Sequence, residues 1–320
     1  MPGVIAVTGA TGFIGRRLVD LLAARGDAAI RVLVRNNDAI ARTGFRGEVM
    51  EGDMRNPAAF ARILEEGCTW VNVAHLNLMS VVDHINVMAA LLEVCRKKRI
   101  RRLVHCSTAV VAGNISDDVV TEATECRPAS DYEVTKLAIE RILLQKCGES
   151  LEVVILRPTA VFGPRGRNLI KLANDLKGRP AFVNYLKSCL QGRRRMNLVH
   201  VDNVVAALVF LIDAPRGIGG EIYIVSDDES PLNNYRDVEQ RLARGLGIPH
   251  YPLPPIAMPR AALSLALKVI GRTNTNPGRL YDGSKLLQAG FRKPVPLEQG
   301  LASFASWYRS FSGAKEEEAP

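Results

Sequence analysis

Val4-Ile5-Ala6-Val7-Thr8-Gly9-Ala10-Thr11-Gly12-Phe13-Ile14-Gly15 stands at the head of the chain, and its reading decides the rest. The short apolar run Val4–Val7, mostly β-branched, predicts a buried strand, and Phe13–Ala24 carries apolar residues at helical spacing. Gly9 permits the tight turn between them, Gly12 lets a backbone approach a pyrophosphate, and Gly15 allows close helix–strand packing. The start of the helix, at Thr11, Gly12, Phe13 and Ile14, presents unpaired N–H groups to phosphate. A glycine pattern alone also fits a simple turn; its place between strand and helix makes it a dinucleotide signal.

Further strands are expected at Ile30–Val34, Val49–Glu51, Trp70–Ala74, Leu103–Cys106 and Val153–Leu156. Helices are expected at Pro57–Glu66, Val82–Lys98 and Tyr132–Lys146. This alternation predicts an α/β fold: a Rossmann-type doubly wound parallel sheet covered on both faces. After Arg157-Pro158 the rhythm breaks into Gly-, Pro- and Arg-rich segments with helices at Asn168–Leu176 and Tyr235–Leu246. Met196–Val201, a helix at Asn203–Ile212 and Glu221–Val225 read as a return to the sheet. The expected organisation is a dinucleotide-binding domain over 1–165 with 196–226 returning to it. A smaller C-terminal substrate lobe takes 166–195 and 227–312, with a disordered tail at 313–320.

The chain has 320 residues, 47% hydrophobic and 23% charged, an ordinary globular composition. Its formal charge is +9, with basic clusters at 96–102 and at Arg193-Arg194-Arg195. Such runs are read as solvated faces, or as attraction for an anionic cofactor, substrate or membrane surface. No interleaved aromatics or reading motif accompany them, so nucleic acid is not an expected partner. Six scattered cysteines with no short paired spacing read as reduced thiols, without a metal site. The strand-like start leaves no room for a secretory signal, and no apolar stretch reaches the ~20 residues of a spanning helix. The expected location is therefore cytoplasmic. The apolar segment Ala257–Ile270, interrupted by Arg260 and Lys268, reads as a buried helix, with peripheral membrane contact as the lesser alternative.

Two positions bear on chemistry. The end of the second strand reads Val34-Arg35-Asn36, where an acidic residue would hold the ribose hydroxyls of NAD. A guanidinium suits a 2′-phosphate by charge and by forked hydrogen bonding, so NADP is expected, with NAD as the alternative. Tyr132 and Lys136 stand one helical turn apart and share a face. A phenol beside an ammonium ionises more easily, which suits proton exchange at a secondary alcohol or ketone.

With the glycine turn, the chain carries Gly52-Asp53-Met54, Val73-Ala74, Asn86, Ser107-Thr108, Tyr132 with Lys136, Arg157-Pro158 and Val201–Val204. Together these resemble an extended short-chain dehydrogenase/reductase, of the NAD-dependent epimerase/dehydratase superfamily, over nearly the entire chain. The stretch from Tyr223 to Pro231, and the Pro-rich lead Pro252–Pro259, are similar to its 3β-hydroxysteroid dehydrogenase-like branch.

The resemblance implies that Tyr132 is the general acid or base, with Lys136 binding the nicotinamide ribose and lowering the phenol from its reference of about 10. It implies that Thr108 binds the substrate oxygen, with Ser107 the neighbouring alternative. Asp53 and the backbone of Met54 would meet adenine, and Ala74 and Pro158 would join the cofactor contacts. Asn86 would support its helix or hold a relay water. Two departures bear on pocket shape: Asn72 stands where a histidine is usual, and His75 where an alanine is. The implied activity is an NAD(P)-dependent oxidoreductase interconverting a secondary alcohol and ketone on a bulky, sterol-like or isoprenoid substrate. The alternatives are a nucleotide-sugar epimerase or 4-ketoreductase, and a non-catalytic dinucleotide-binding protein. The arginine that would clamp a sugar diphosphate falls at Met196, with Arg195 one residue away. The resemblance implies a small-molecule substrate as partner and, as in many relatives, a homodimer through the helices at Val82–Lys98 and Tyr132–Lys146, with a monomer as the alternative.

Overall fold

A computed structural model describes residues 3–37, 40, 45–76, 79–148, 151–254, 256, 259 and 276–317, with side chains as far as Phe311 in the last helix. The helix expected at Ala257–Ile270 lies, but for Pro259, outside the described residues.

Strand β1 (Val4–Thr8) alternates its side chains between two apolar layers: Ile5 and Val7 enter one core, Val4 and Ala6 the other. Burial on both faces is what a central parallel strand requires. β1 pairs on one side with β2 (Ala29–Val34), which pairs with β3 (Glu48–Glu51). On its other side lie β4 (Thr69–Asn72), β5 (Arg102–Cys106), β7 (Glu152–Pro158) and β10 (Ile222–Val225), all parallel. The order β10-β7-β5-β4-β1-β2-β3 reverses direction at β1 and β4. A ligand crevice opens at the carboxyl ends of strands where such a sheet reverses.

Helix α1 (Phe13–Arg25) and helix α7 (Val201–Asp213) cover one face, Leu18 and Leu22 meeting Val204, Leu208 and Leu211 in one core. Helix α2 (Pro57–Ala61), α3 (Val81–Lys97) and α4 (Asp131–Gln145) cover the other, with Phe60, Leu91, Leu92, Ile139 and Leu143. Ser130 and Glu133 start α4 with a reciprocal capping box, which fixes where its first turn, and hence Tyr132, begins.

A third core gathers Leu172 and Leu176 of α5 (Ile170–Gly178) and Val238 and Leu242 of α8 (Tyr235–Gly245). Leu301 and Phe304 of α10 (Leu297–Glu317) complete it. Helical backbone therefore runs into the tail expected to be disordered at 313–320, as far as Glu317.

Three expectations need correction. Met196–Val201 does not return to the large sheet: β9 (Leu198–His200) pairs with β8 (Ala160–Phe162) in a separate two-stranded sheet, and β10 alone rejoins the main one. The strand expected at Trp70–Ala74 ends at Asn72, whose Oδ1 accepts from Thr8 Oγ1 (3.0 Å) and the Ala74 N–H (3.1 Å), turning the chain away. The basic run at 96–102 is not wholly a solvated face. Arg102 is fully buried; its guanidinium grips Glu152 (2.6 Å) and the carbonyls of Leu211, Ile212, Ala214 and Pro215, satisfying the end of α7. No described helix is long and apolar enough to cross a membrane.

Candidate active site

The glycine turn is a cradle shaped by close approach. Gly9 has φ +86°, and a Cβ there would lie 2.6 Å from the Ala74 nitrogen beyond β4; a Cβ on Gly15 would lie 2.0 Å from the Gly9 carbonyl oxygen. Gly12, at φ −75°, starts α1 without a side-chain cap, and no acidic residue occupies the first turn. The helix donors thus face the crevice unopposed, which fits a dinucleotide phosphate. Gly9, Thr11, Gly12, Phe13, Ile14, Gly15, Arg35, Asp53, Met54 and Ala74, each expected at the cofactor, line one pocket.

Arg55, which sequence reading passed over, also lines this pocket, and its guanidinium meets the Asp53 carboxylate at 2.6 Å. That hydrogen bond is the main reason the Asp53 carboxyl sits below its ordinary value.

A second, larger cleft, with a cavity volume of about 1210 Å³, continues from Thr11–Ile14 past Ser107, Thr108, Tyr132 and Pro158. Thr108 comes from the loop after β5, Tyr132 from α4 and Pro158 from β7, so three elements bring these residues to one opening. The hydroxyls of Ser107 and Thr159 are buried without a hydrogen-bond partner among the described residues, and both residues line the cleft. Thr159 carried no signal in the sequence beyond its place after Arg157-Pro158.

Lys136 is buried behind the cleft, 5% exposed. Loss of solvent pushes its ammonium below the ordinary value, while Cys106 and Glu140 pull it back up. Tyr132 keeps 43% of its surface accessible, yet the protein wall around the phenol raises its pKa; the Cys106 thiol adds to the rise, and the Thr108 hydroxyl opposes it. The direction is opposite to that expected from the Tyr132–Lys136 pair: desolvation dominates, and the Lys136 charge does not act on the phenol in this arrangement.

His75 packs edge-on against the Tyr132 ring, 5.4 Å between centroids, and lies nearly parallel to His84 at 6.1 Å. Burial, then the Lys136 charge, lowers its pKa. Asn86 is exposed on the outer side of α3 and lines none of these pockets. Arg195, the candidate diphosphate clamp, donates from Nη1 to the Ser230 carbonyl (3.1 Å) and is not among the lining residues of the cleft.

A parallel sheet that reverses at a glycine cradle, with a tyrosine at the neighbouring cleft and a lysine buried one turn behind it, defines a dinucleotide-dependent enzyme of the extended short-chain dehydrogenase/reductase class. The NAD dependent epimerase/dehydratase family matches residues 5–226, and the chain belongs to it. Among its relatives is the sterol demethylase protein B of Methylococcus capsulatus, 27% identical over 95% of this chain and 97% of that protein. Another is the 4-hydroxy-2-methyl-3-oxo-4-farnesyl-3,4-dihydroquinoline-1-oxide ketoreductase of Stigmatella aurantiaca, 30% identical over 92% of this chain and 93% of that protein. Among solved structures, MoeE5 in complex with UDP-glucose and NAD superposes with a TM-score of 0.70 at 25% identity, covering 97% of this chain and all of that one. Such relatives support the 3β-hydroxysteroid dehydrogenase-like branch of the superfamily, and the cofactor is a nicotinamide dinucleotide.

Proposed function

We propose that the chain is an NADP-linked oxidoreductase that interconverts a secondary alcohol and a ketone on a bulky apolar substrate, sterol-like or isoprenoid. The observation that carries this reading is that Tyr132 and Thr108 border the same cleft as the glycine turn. The nicotinamide, when bound, supplies or accepts the hydride. Thr108 orients the substrate oxygen, Tyr132 gives it a proton in reduction or removes one in oxidation, and Lys136 holds the nicotinamide ribose.

Arg35 and Arg55 both line the adenosine pocket, and no acid ends β2, which supports a 2′-phosphate over a free ribose. The substrate class is supported by the two relatives, named for a sterol and for a farnesylated quinoline. Outward Val82 and Val134, on the neighbouring helices α3 and α4, support a homodimer through that face. A cytoplasmic location is proposed with them.

A second reading, a nucleotide-sugar epimerase or ketoreductase, draws on Arg165 and Arg167 in the cleft, a basic end suited to a diphosphate, and on the likeness to MoeE5. Against it stands Arg195, committed to the Ser230 carbonyl. Incubation with NADPH and a panel of sterol, isoprenoid and UDP-sugar ketones tests both readings. Net NADPH oxidation with an apolar ketone supports the first; turnover of a UDP-sugar without net cofactor change supports the second.

A further inference from the structure

Beside Lys136 lies a small cavity of about 20 Å³, room for one water, which shares Met54, Ala74, His75 and Leu76 with the cofactor pocket. Three of the chain's five histidines, His75, His84 and His105, line it with Lys136 and Asn72. His105 reaches it from β5. Strand alternation puts Leu103 and His105 on the face covered by α3 and α4, and His105 is the register partner of Asn72 on β4.

These groups are not equally committed. His84 is held by the carbonyls of Ser80 (2.9 Å, Nδ1) and Leu76 (2.8 Å, Nε2). Asn72 Oδ1 accepts from Thr8 and Ala74. His105, 1% exposed, has no hydrogen-bond partner on either ring nitrogen among the described residues. Lys136 has no hydrogen-bond acceptor among the described residues. A buried imidazole and a lysine ammonium that share a void the size of a water are expected to be joined through that water.

We propose that this cavity holds one ordered water that accepts from the Lys136 ammonium and donates to a neutral His105, making His105 the positioning residue that fixes Lys136. Burial beside Lys136 keeps His105 neutral, well below its ordinary pKa, so it has a lone pair to offer. The exposed side chain of Asn86 is not placed to hold such a water. The other ionisable groups around Lys136 are Tyr132 and Glu140 on α4, Cys106 on β5, and His75 and His84 at the cavity wall. Glu140 is tied to Arg157. The consequence for turnover rests on the oxidoreductase reading; the water and its effect on Lys136 do not.

The test is the pH dependence of NADPH binding, followed by fluorescence, in the full chain and in His105→Phe and His105→Gln. Removing the acceptor disfavours the Lys136 ammonium. In His105→Phe the alkaline loss of NADPH affinity should therefore move to lower pH by about one unit. Gln keeps an acceptor and should restore the wild-type profile. A melting temperature for each variant separates this from loss of fold, and a high-resolution crystal structure should place a water within reach of Lys136 Nζ and a His105 nitrogen. Superimposable binding profiles for wild type and both variants, or a dry cavity, would overturn the proposal. The predicted shift with no ketone reduced would uphold it while removing the oxidoreductase reading.

Discussion

Arg157 at the end of β7 closes on Glu140 of α4 at 2.5 Å, both side chains at most 6% exposed. Glu140 lies one turn beyond Lys136 and two beyond Tyr132, so this ion pair clamps the reactive helix to the strand that delivers Pro158. The guanidinium meets both carboxylate oxygens, through Nε and Nη2. A pair this dry is strongly destabilised when only one partner goes, because the survivor keeps a buried charge. Glu140→Ala should lose about 3–5 kcal/mol of unfolding free energy in urea melts. A loss below about 1 kcal/mol, the value of a surface pair, would deny the clamp.

Tyr132→Phe keeps the ring against His75 and removes only the hydroxyl. Turnover should fall about a hundred- to ten-thousand-fold, with the NADPH dissociation constant nearly unchanged. Parallel losses of binding and turnover would instead mark Tyr132 as a packing residue.

The raised phenol sets the pH dependence. Ketone reduction needs the protonated phenol, and a pKa pushed above its ordinary value of about 10 keeps that form through neutral pH. Reduction should therefore be flat across neutrality and fall only in strong alkali. Alcohol oxidation, which needs the phenolate, should rise about tenfold per pH unit over the same range. A reduction profile that breaks near neutrality would return the phenol to the control of Lys136.

Much of this was legible in the residues. The glycine turn and the wholly buried, largely apolar runs of β1 and β5 are local patterns that the residues carry themselves; the Ser130–Glu133 capping box of α4 is equally local and was passed over. The β8–β9 pair was not legible, because Leu198–His200 is apolar enough for either sheet and only its long-range partner decides. Arg102 looked like one more member of a basic run; its burial depends on carbonyls more than a hundred positions away. Arg55 beside Asp53 was within local reach and was missed. The histidine cavity is assembled from three elements and has no sequence period.

Gly15 offers the sharpest test of the cradle. A Cβ there meets the Gly9 carbonyl oxygen at 2.0 Å, which backbone cannot easily yield. Gly15→Ala should cost about 1–3 kcal/mol of stability and abolish NADPH binding in titration. Retained affinity would show that the helix start does not seat the phosphates.

Arg35→Ala should weaken NADPH about tenfold or more while leaving NADH within about threefold, since one charge-assisted contact to phosphate is lost. A wild-type protein that already binds NADH tenfold more tightly would end the NADP assignment.

The central claim is net hydride transfer to a ketone of an apolar substrate. Its most direct measurement is isotopic: NADPH deuterated at the reactive C4 position is supplied with a sterol or isoprenoid ketone, and the product is examined by mass spectrometry. The account predicts one deuterium on the new carbinol carbon and one oxidised cofactor released per alcohol formed. Alcohol without label, or label that stays with a cofactor never released, would contradict it.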